Sequence, residues 1–205
     1  MPPKPPSPLP PGAEQIGAWA RRRGFSYQPR PDLGWFLAWE PYDCMTSPEA
    51  YFNAVSWMLP PGTVTLAEPW LAPIDSEPLG RTVLVFVQHP AFVRRAAARV
   101  GEHFNTRVAY LENPPPPTVA VGDPGWDGWA VTLAASPAEA AAAFPRGARE
   151  LLRSWGFVGH IEVRPGGLVV NFAGLPPLAE HLERIAASVG ELVARFCAHG
   201  ATERA

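Results

Sequence analysis

The chain predicts an α+β fold in which a mainly antiparallel sheet is covered by helices. Three observations carry that expectation. The run Arg81–Gln88 (RTVLVFVQ) is apolar on both faces, as a central strand must be. The stretch from His160 to Gly174 alternates about Pro165-Gly166, the pattern of a hairpin closed by a type II turn. Leu178, Leu182, Ile185, Val189, Leu192 and Phe196 recur at steps of four and three, which makes one continuous helical stripe. With 47% hydrophobic and 18% charged residues, the 205 residues can bury a sizeable core. They have room for one unit or for two similar lobes.

The first twelve residues, MPPKPPSPLPPG, cannot join a helix or a sheet ladder, because proline lacks the amide donor and fixes φ. They are expected to form a mobile tail biased to polyproline II. Residues 13–113 then form the first half. A short helix over Ala13–Arg23 buries Ile16, Trp19 and Ala20. Gly24 takes the left-handed cap position and Phe25 supplies the hydrophobic residue after it. Two segments are ambiguous: Trp35–Trp39 reads as a strand, and Tyr51–Leu59 as a strand or as part of a helix beginning at Ser47. Gly62–Glu68 reads as a strand after a Pro-Pro-Gly turn, followed by the central strand Arg81–Gln88. Val93, Ala97, Val100 and Phe104 are spaced as a helix, with Thr106–Leu111 returning as a strand. Strand, helix and strand in that order would permit a parallel crossover, and an antiparallel arrangement is equally open.

Four consecutive prolines, Pro114–Pro117, end any regular element and mark a boundary. The second half, residues 118–199, opens with Trp129–Ala135, whose alternation puts Trp129, Val131 and Leu133 on one inward face. Ser136-Pro137-Ala138-Glu139 is a capping box with proline at the first helical position. The alanines 140–143 propagate that helix, Pro145 breaks it, and a second helix runs to Trp155. Gly156-Phe157 closes this helix as Gly24-Phe25 closed the first. In the hairpin, Ile161, Val163, Leu168, Val170 and Phe172 face inward, and His160, Glu162 and Arg164 form a solvated ladder. The closing helix, 178–198, carries Glu180–Arg184 and Glu191–Arg195 pairs. Its stripe is a core element, or else a homodimer interface if the protein is not a monomer.

Composition narrows the function. Formal net charge is −2, so the chain lacks the basic field that phosphate binding needs, and no nucleic-acid partner is expected. Lys4 is the single lysine and lies in the tail, which excludes a Schiff-base or phosphate-loop lysine from the folded part. The arginine bias with abundant Ala, Pro and Gly points to a high-GC bacterial genome. No signal-like segment opens the chain and no apolar run reaches membrane-spanning length, so a cytoplasmic protein without a membrane partner is expected. Cys44 and Cys197 make no disulfide framework and read as inert thiols.

The catalytic motifs G-x-S-x-G, H-E-x-x-H, C-x-x-C and G-x-G-x-x-G are absent, and so is a Walker A loop. His160-Ile161-Glu162 has the H-x-E spacing of zinc deaminases but lacks their paired cysteines. Cys197 and His199 offer two metal ligands without a third. No metal, cofactor or catalytic residue is therefore assigned. The loop pairs Asp123/Asp127, Asp75/Glu77 and Glu40/Asp43 are the carboxylates through which a hydrolase could work.

Eight tryptophans are the unusual feature. Trp19, Trp57, Trp129 and Trp155 fall on core faces, whereas Trp35, Trp39, Trp70 and Trp126 sit among Pro, Gly and Asp. Exposed tryptophans anchor protein interfaces or stack on sugars. The binding candidates are accordingly Trp35, Trp39, Tyr42 and Trp70. They suit a non-catalytic module with a protein partner, or an aromatic-lined small-molecule or glycan site.

Residues 126–198, in particular WAVTLAASPAEAAAAFPRGARELL, then IEVRPGGLVVNFAG and the closing helix, resemble an uncharacterised bacterial family, a domain of unknown function in Gram-positive and high-GC bacteria. AWARRRGFSYQPRP is similar to the opening seen ahead of that region. The resemblance implies the strand, capped helix, Gly-Gly hairpin and amphipathic helix of the second half, and it implies no catalytic residues.

Overall fold

Each Gly-Phe junction closes its helix in the same way. In both, the phenylalanine N–H bonds five residues back and the glycine N–H three back: Phe25 to Ala20 and Gly24 to Arg21, then Phe157 to Leu152 and Gly156 to Arg153. These are Schellman closures. The glycines hold φ at 70° and 59°, where a β-carbon would crowd the next carbonyl. The repeated motif thus turns the chain from helix to sheet.

A computed structural model describes residues 8–39, 48–70, 81–101, 116–172 and 174–198. Among them the order is α1 (Ala13–Arg22), β1 (Ser26–Gln28), α2 (Leu33–Leu37), β2 (Ala50–Leu59), β3 (Gly62–Trp70), β4 (Val83–Gln88) and β5 (Ala96–Val100). The chain continues with β6 (Thr118–Val119), α3 (Pro124–Asp127), β7 (Val131–Ala134), α4 (Pro137–Ala143), α5 (Arg146–Ser154), β8 (Gly159–Arg164), β9 (Gly167–Phe172) and α6 (Ala179–Cys197). The fold is α+β. Its nine strands form one sheet in the order β1-β2-β3-β4-β9-β8-β5-β7-β6. Every pairing between them is antiparallel.

The sheet does not divide at the proline boundary. β4, from the first half, pairs with β9 along Val83–Gln88, and β5 lies between β7 and β8 of the second half. One face carries α1 and α3–α6 over a core that includes Val85, Val170, Ile161, Leu168 and Trp126. The other face carries α2, with Phe36 and Trp39 on Leu84, Phe86 and Val169. The central strands are therefore buried on both sides, as the unbroken apolar run of β4 implies.

Four expectations are corrected. Val93, Ala97 and Val100 do not lie on a helix: the chain at Ala96–Val100 is strand β5. Three consecutive alanines fit a helix on propensity, but they also let strands pack closely, and bonding to β7 and β8 on both edges decides the outcome. The crossover built on that helix is absent from the described residues, and Thr106–Leu111 lies outside them. Trp35 belongs to helix α2, which Asp32 caps by accepting the Gly34 N–H at 3.3 Å. In β7 the inward face is the opposite of the expected one. Thr132 and Ala134 are buried while Val131 is 52% exposed, because the buried Trp126 indole donates to Thr132 Oγ1 at 2.9 Å. The fourth correction is the charge ladder of β8, which is buried and is described below.

The α6 stripe faces the chain's own core: Leu182, Ile185, Val189, Leu192, Val193 and Phe196 are all buried, and Leu178 sits exposed at the cap. Burial of each such side chain contributes about 1.5–3 kcal/mol. The Glu191–Arg195 pair forms at 3.1 Å. Glu180 lies instead 3.9 Å from His181 Nε2. Ser136 caps α4 through the Glu139 N–H at 3.1 Å, as its capping box requires. Among the described residues no helix is long and apolar enough to cross a membrane.

Candidate functional site

α6 crosses the helix-bearing face of the sheet without closing against it along its whole length. Its Ile185, Val189 and Leu192 stand over Val85 of β4 and over Val170 and Phe172 of β9. The segment after α5 makes the far wall, with Trp155, Phe157 and Val158, and Leu175 stands beside it after β9. Between them lies a cleft of about 340 Å³. This falls within the roughly 300–1,000 Å³ of small-molecule sites.

Each wall follows from local chemistry. The left-handed Gly156 reverses the chain, so Phe157 turns inward and Val158 remains 40% exposed at the mouth. Phe157 meets Phe172 edge to face, with ring centres 5.5 Å apart, and this fixes the inner end. The polar lining groups are His181, Arg184 and Ser188, one side of α6. His181 Nδ1 is 2.9 Å from the Pro176 carbonyl and donates to it, which orients the ring. Ser188 donates to the Arg184 carbonyl at 2.9 Å. α6 is held in place from behind: Trp19 Nε1 donates to Glu183 at 2.6 Å, and Arg23 lies 3.5 Å from the same carboxylate.

The aromatic residues singled out in the sequence lie elsewhere. Trp39 and Trp70 are buried. Trp35 and Trp39 both pack on Phe86, at 5.5 Å each, within the α2 cluster. Trp70 packs edge-on against Phe52 at 5.4 Å. They do not form a joint exposed patch, and Tyr42 lies outside the described residues. Trp126, expected among the exposed tryptophans, is fully buried. The physical reason is that a sheet with both faces covered needs large rings on both.

His160, Glu162 and Arg164 do not form a solvated ladder. His160 and Glu162 are buried on the sheet face opposite the cleft. Glu162 accepts from Arg164 Nε at 3.0 Å and also from its Nη2. Arg164 Nη1 donates to the Trp39 carbonyl and ties the end of α2 to the sheet. His160 Nε2 stands 3.7 Å from Glu162, and neither of its ring nitrogens has a hydrogen-bond partner among the described residues. Burial lowers the His160 pKa and keeps the ring neutral. Burial opposes ionisation of Glu162, but the Arg164 guanidinium that donates to it outweighs that cost and holds the carboxyl below its ordinary range. The imidazole is fully enclosed, so it meets no substrate.

A second buried polar group had no sequence signal. Glu68, at a bulge between β2 and β3, accepts from Arg81 Nε at 2.6 Å and Nη2 at 2.9 Å, and from Asn53 Nδ2 at 2.9 Å. Asn53 sits there at φ 53°. An acid after an apolar run and an arginine thirteen residues later is a pattern visible only once the strands are paired.

The remaining reactive candidates have structural partners. Asp127 accepts the N–H groups of Val121, Gly122 and Asp123 at 2.8–3.1 Å. Asp123 caps α3 through Gly125 and Trp126 and accepts from Arg149 Nε at 3.1 Å. Burial works against its ionisation, and Arg149 with the cap N–H groups overrides it, lowering the pKa. Cys197 lies 3.6 Å from His89 Nδ1, an atom that also accepts the Ala91 N–H, so the thiol is the donor. Burial raises the Cys197 pKa. No three His, Cys, Asp or Glu side chains converge on a metal position among the described residues. Glu40, Asp43, Cys44, Asp75, Glu77 and His199 lie outside them.

No family model matches the chain. No curated protein matches it. The fold is similar to the crystal structure of the mycobacterial trehalose monomycolate transport factor A, TtfA. The two share 12% sequence identity over 90% of this chain and 94% of that one, with a TM-score of 0.60. At that identity the likeness is one of fold.

Proposed function

We propose that the chain is a non-catalytic binding module that takes an apolar ligand in the cleft between α6 and strands β4 and β9. The single observation that carries this reading is a concave, aromatic-walled volume of about 340 Å³ whose polar groups stand along one side of α6. Preformed apolar cavities with few polar groups are the usual form of small-molecule sites. The reading keeps the aromatic-lined ligand site expected from the tryptophan content and moves it from Trp35, Trp39 and Trp70 to Trp155, Phe157 and Phe172. Assignment to binding instead of catalysis is supported by the occupied state of the reactive groups: Asp123 and Asp127 cap a turn, and Glu162 is enclosed with Arg164. TtfA, the fold neighbour, is a transport factor by name; the proposal stands on the cleft and not on that name.

The test uses the uncharged fluorophore N-phenyl-1-naphthylamine. Saturable binding at one site per chain is expected for the wild-type protein. Val158→Trp and Ser188→Trp fill the mouth from opposite walls without entering the core, and each should abolish the signal while leaving the far-UV circular dichroism unchanged. Undiminished binding in both variants would place the site elsewhere and reject the proposal.

A further inference from the structure

The charged group at the mouth of the cleft is Arg184, beside the imidazole of His181, and no carboxylate is among the described residues that line the cleft. Two acids lie near Arg184 on α6. Glu183 is engaged by Trp19 and Arg23 of α1, and Glu180 lies against His181 at 3.9 Å. Arg184 has no carboxylate within ion-pair distance among the described residues, although four residues separate it from Glu180, the spacing at which helix pairs form. Other arginines at comparable sites do pair, as Arg195 does with Glu191 on the same helix and Arg146 with Glu150 on α5. Deeper in, the lining becomes wholly apolar, from Ile185 and Val189 down to Val85, Val170 and Leu192.

An apolar interior below a guanidinium that pairs with no carboxylate among the described residues is complementary to an amphiphile with an anionic head. Resting on the reading of the cleft as a ligand site, we infer that its ligand is a single-chain amphiphile with an anionic head. The chain lies between α6 and the sheet, and the head's oxygens accept from the Arg184 guanidinium at the mouth. A guanidinium presents paired N–H donors that match carboxylate or phosphate oxygens. A cationic head would meet Arg184 as a like charge, and an uncharged head would leave the guanidinium without a counter-charge.

Titration with three probes of equal chain length tests this: dodecanoate, dodecanol and dodecyltrimethylammonium, each below its micellar concentration. In the wild-type protein dodecanoate should bind about tenfold tighter than dodecanol, the size of one charge-assisted hydrogen bond. Dodecyltrimethylammonium should bind weakest. In Arg184→Gln, an exposed and fold-neutral substitution, dodecanoate should fall to the level of dodecanol while dodecanol is unchanged. Added salt should weaken dodecanoate alone. Equal affinity of dodecanoate and dodecanol in the wild type, or a preference that survives in Arg184→Gln, would overturn the head-group inference and leave the cleft as an apolar site. Failure of all three probes to bind would overturn the cleft reading as well. Replacement of dodecanoate by dodecyl phosphate separates a carboxylate head from a phosphate head.

Discussion

A neutral imidazole enclosed between strands makes stability depend on pH. Burial lowers the pKa of His160 in the folded chain, while the unfolded residue titrates near ~6.5. Between those two values the unfolded chain holds more protons than the folded one. The stability that His160 contributes is therefore complete above about pH 6.5 and is lost as pH falls below it. Urea unfolding at pH 7.5 and 5.5 should show the loss in the wild type and a flatter dependence in His160→Gln. Asp123 and Glu162, with lowered pKa values, lose their contributions further down, as pH falls below about 4. Glu68 makes a different demand. Its carboxylate is buried and is held by both nitrogens of a bidentate Arg81. Arg81→Ala should cost about 3–5 kcal/mol in chemical denaturation, because it strands a buried charge. Neither group could be read as buried from the sequence. Alternation alone cannot say which face of a strand meets water when both faces are covered.

At the scale of elements, the well-read parts were those in which local chemistry and tertiary packing agree. Gly24-Phe25, Gly156-Phe157 and Ser136–Glu139 each specify a helix end through their own backbone bonds. Substituting alanine at Gly24 or Gly156 should cost about 1–2 kcal/mol each through the left-handed strain, measured by thermal unfolding. The double substitution should be close to the sum, since the two closures serve separate helices. The α6 stripe was read from its period, and Leu192→Ala should cost about 2–5 kcal/mol. β5 shows the converse: Ala96, Ala97 and Ala98 have helix propensity, but their place in the sheet comes from β7 and β8, sixty residues or so along the chain for β8. In β7 the alternation is present and its inward face is the opposite one, because the Trp126 indole draws Thr132 inward.

For the whole molecule, interleaving of the two halves is the governing fact. β4 and β5 from before the prolines pair directly with β7, β8 and β9 from after them. Neither half can open without breaking the other's sheet, so tryptophan emission and far-UV circular dichroism should report one coincident unfolding transition. Two separated transitions would contradict that coupling. The same interleaving explains why the cleft was invisible in the sequence. Its lining comes from β4, the end of α5, β9 and α6, and no single stretch concentrates it. Local composition directed attention to Trp35, Trp39 and Trp70, whose rings pack inside the fold. The most direct measurement is a two-dimensional NMR titration of the isotope-labelled chain with dodecanoate. Ligand seated under α6 predicts saturable shifts concentrated at Trp155–Val158, Val170–Phe172 and His181–Leu192. Shifts confined to the α2 face, or no shifts at all, would contradict it.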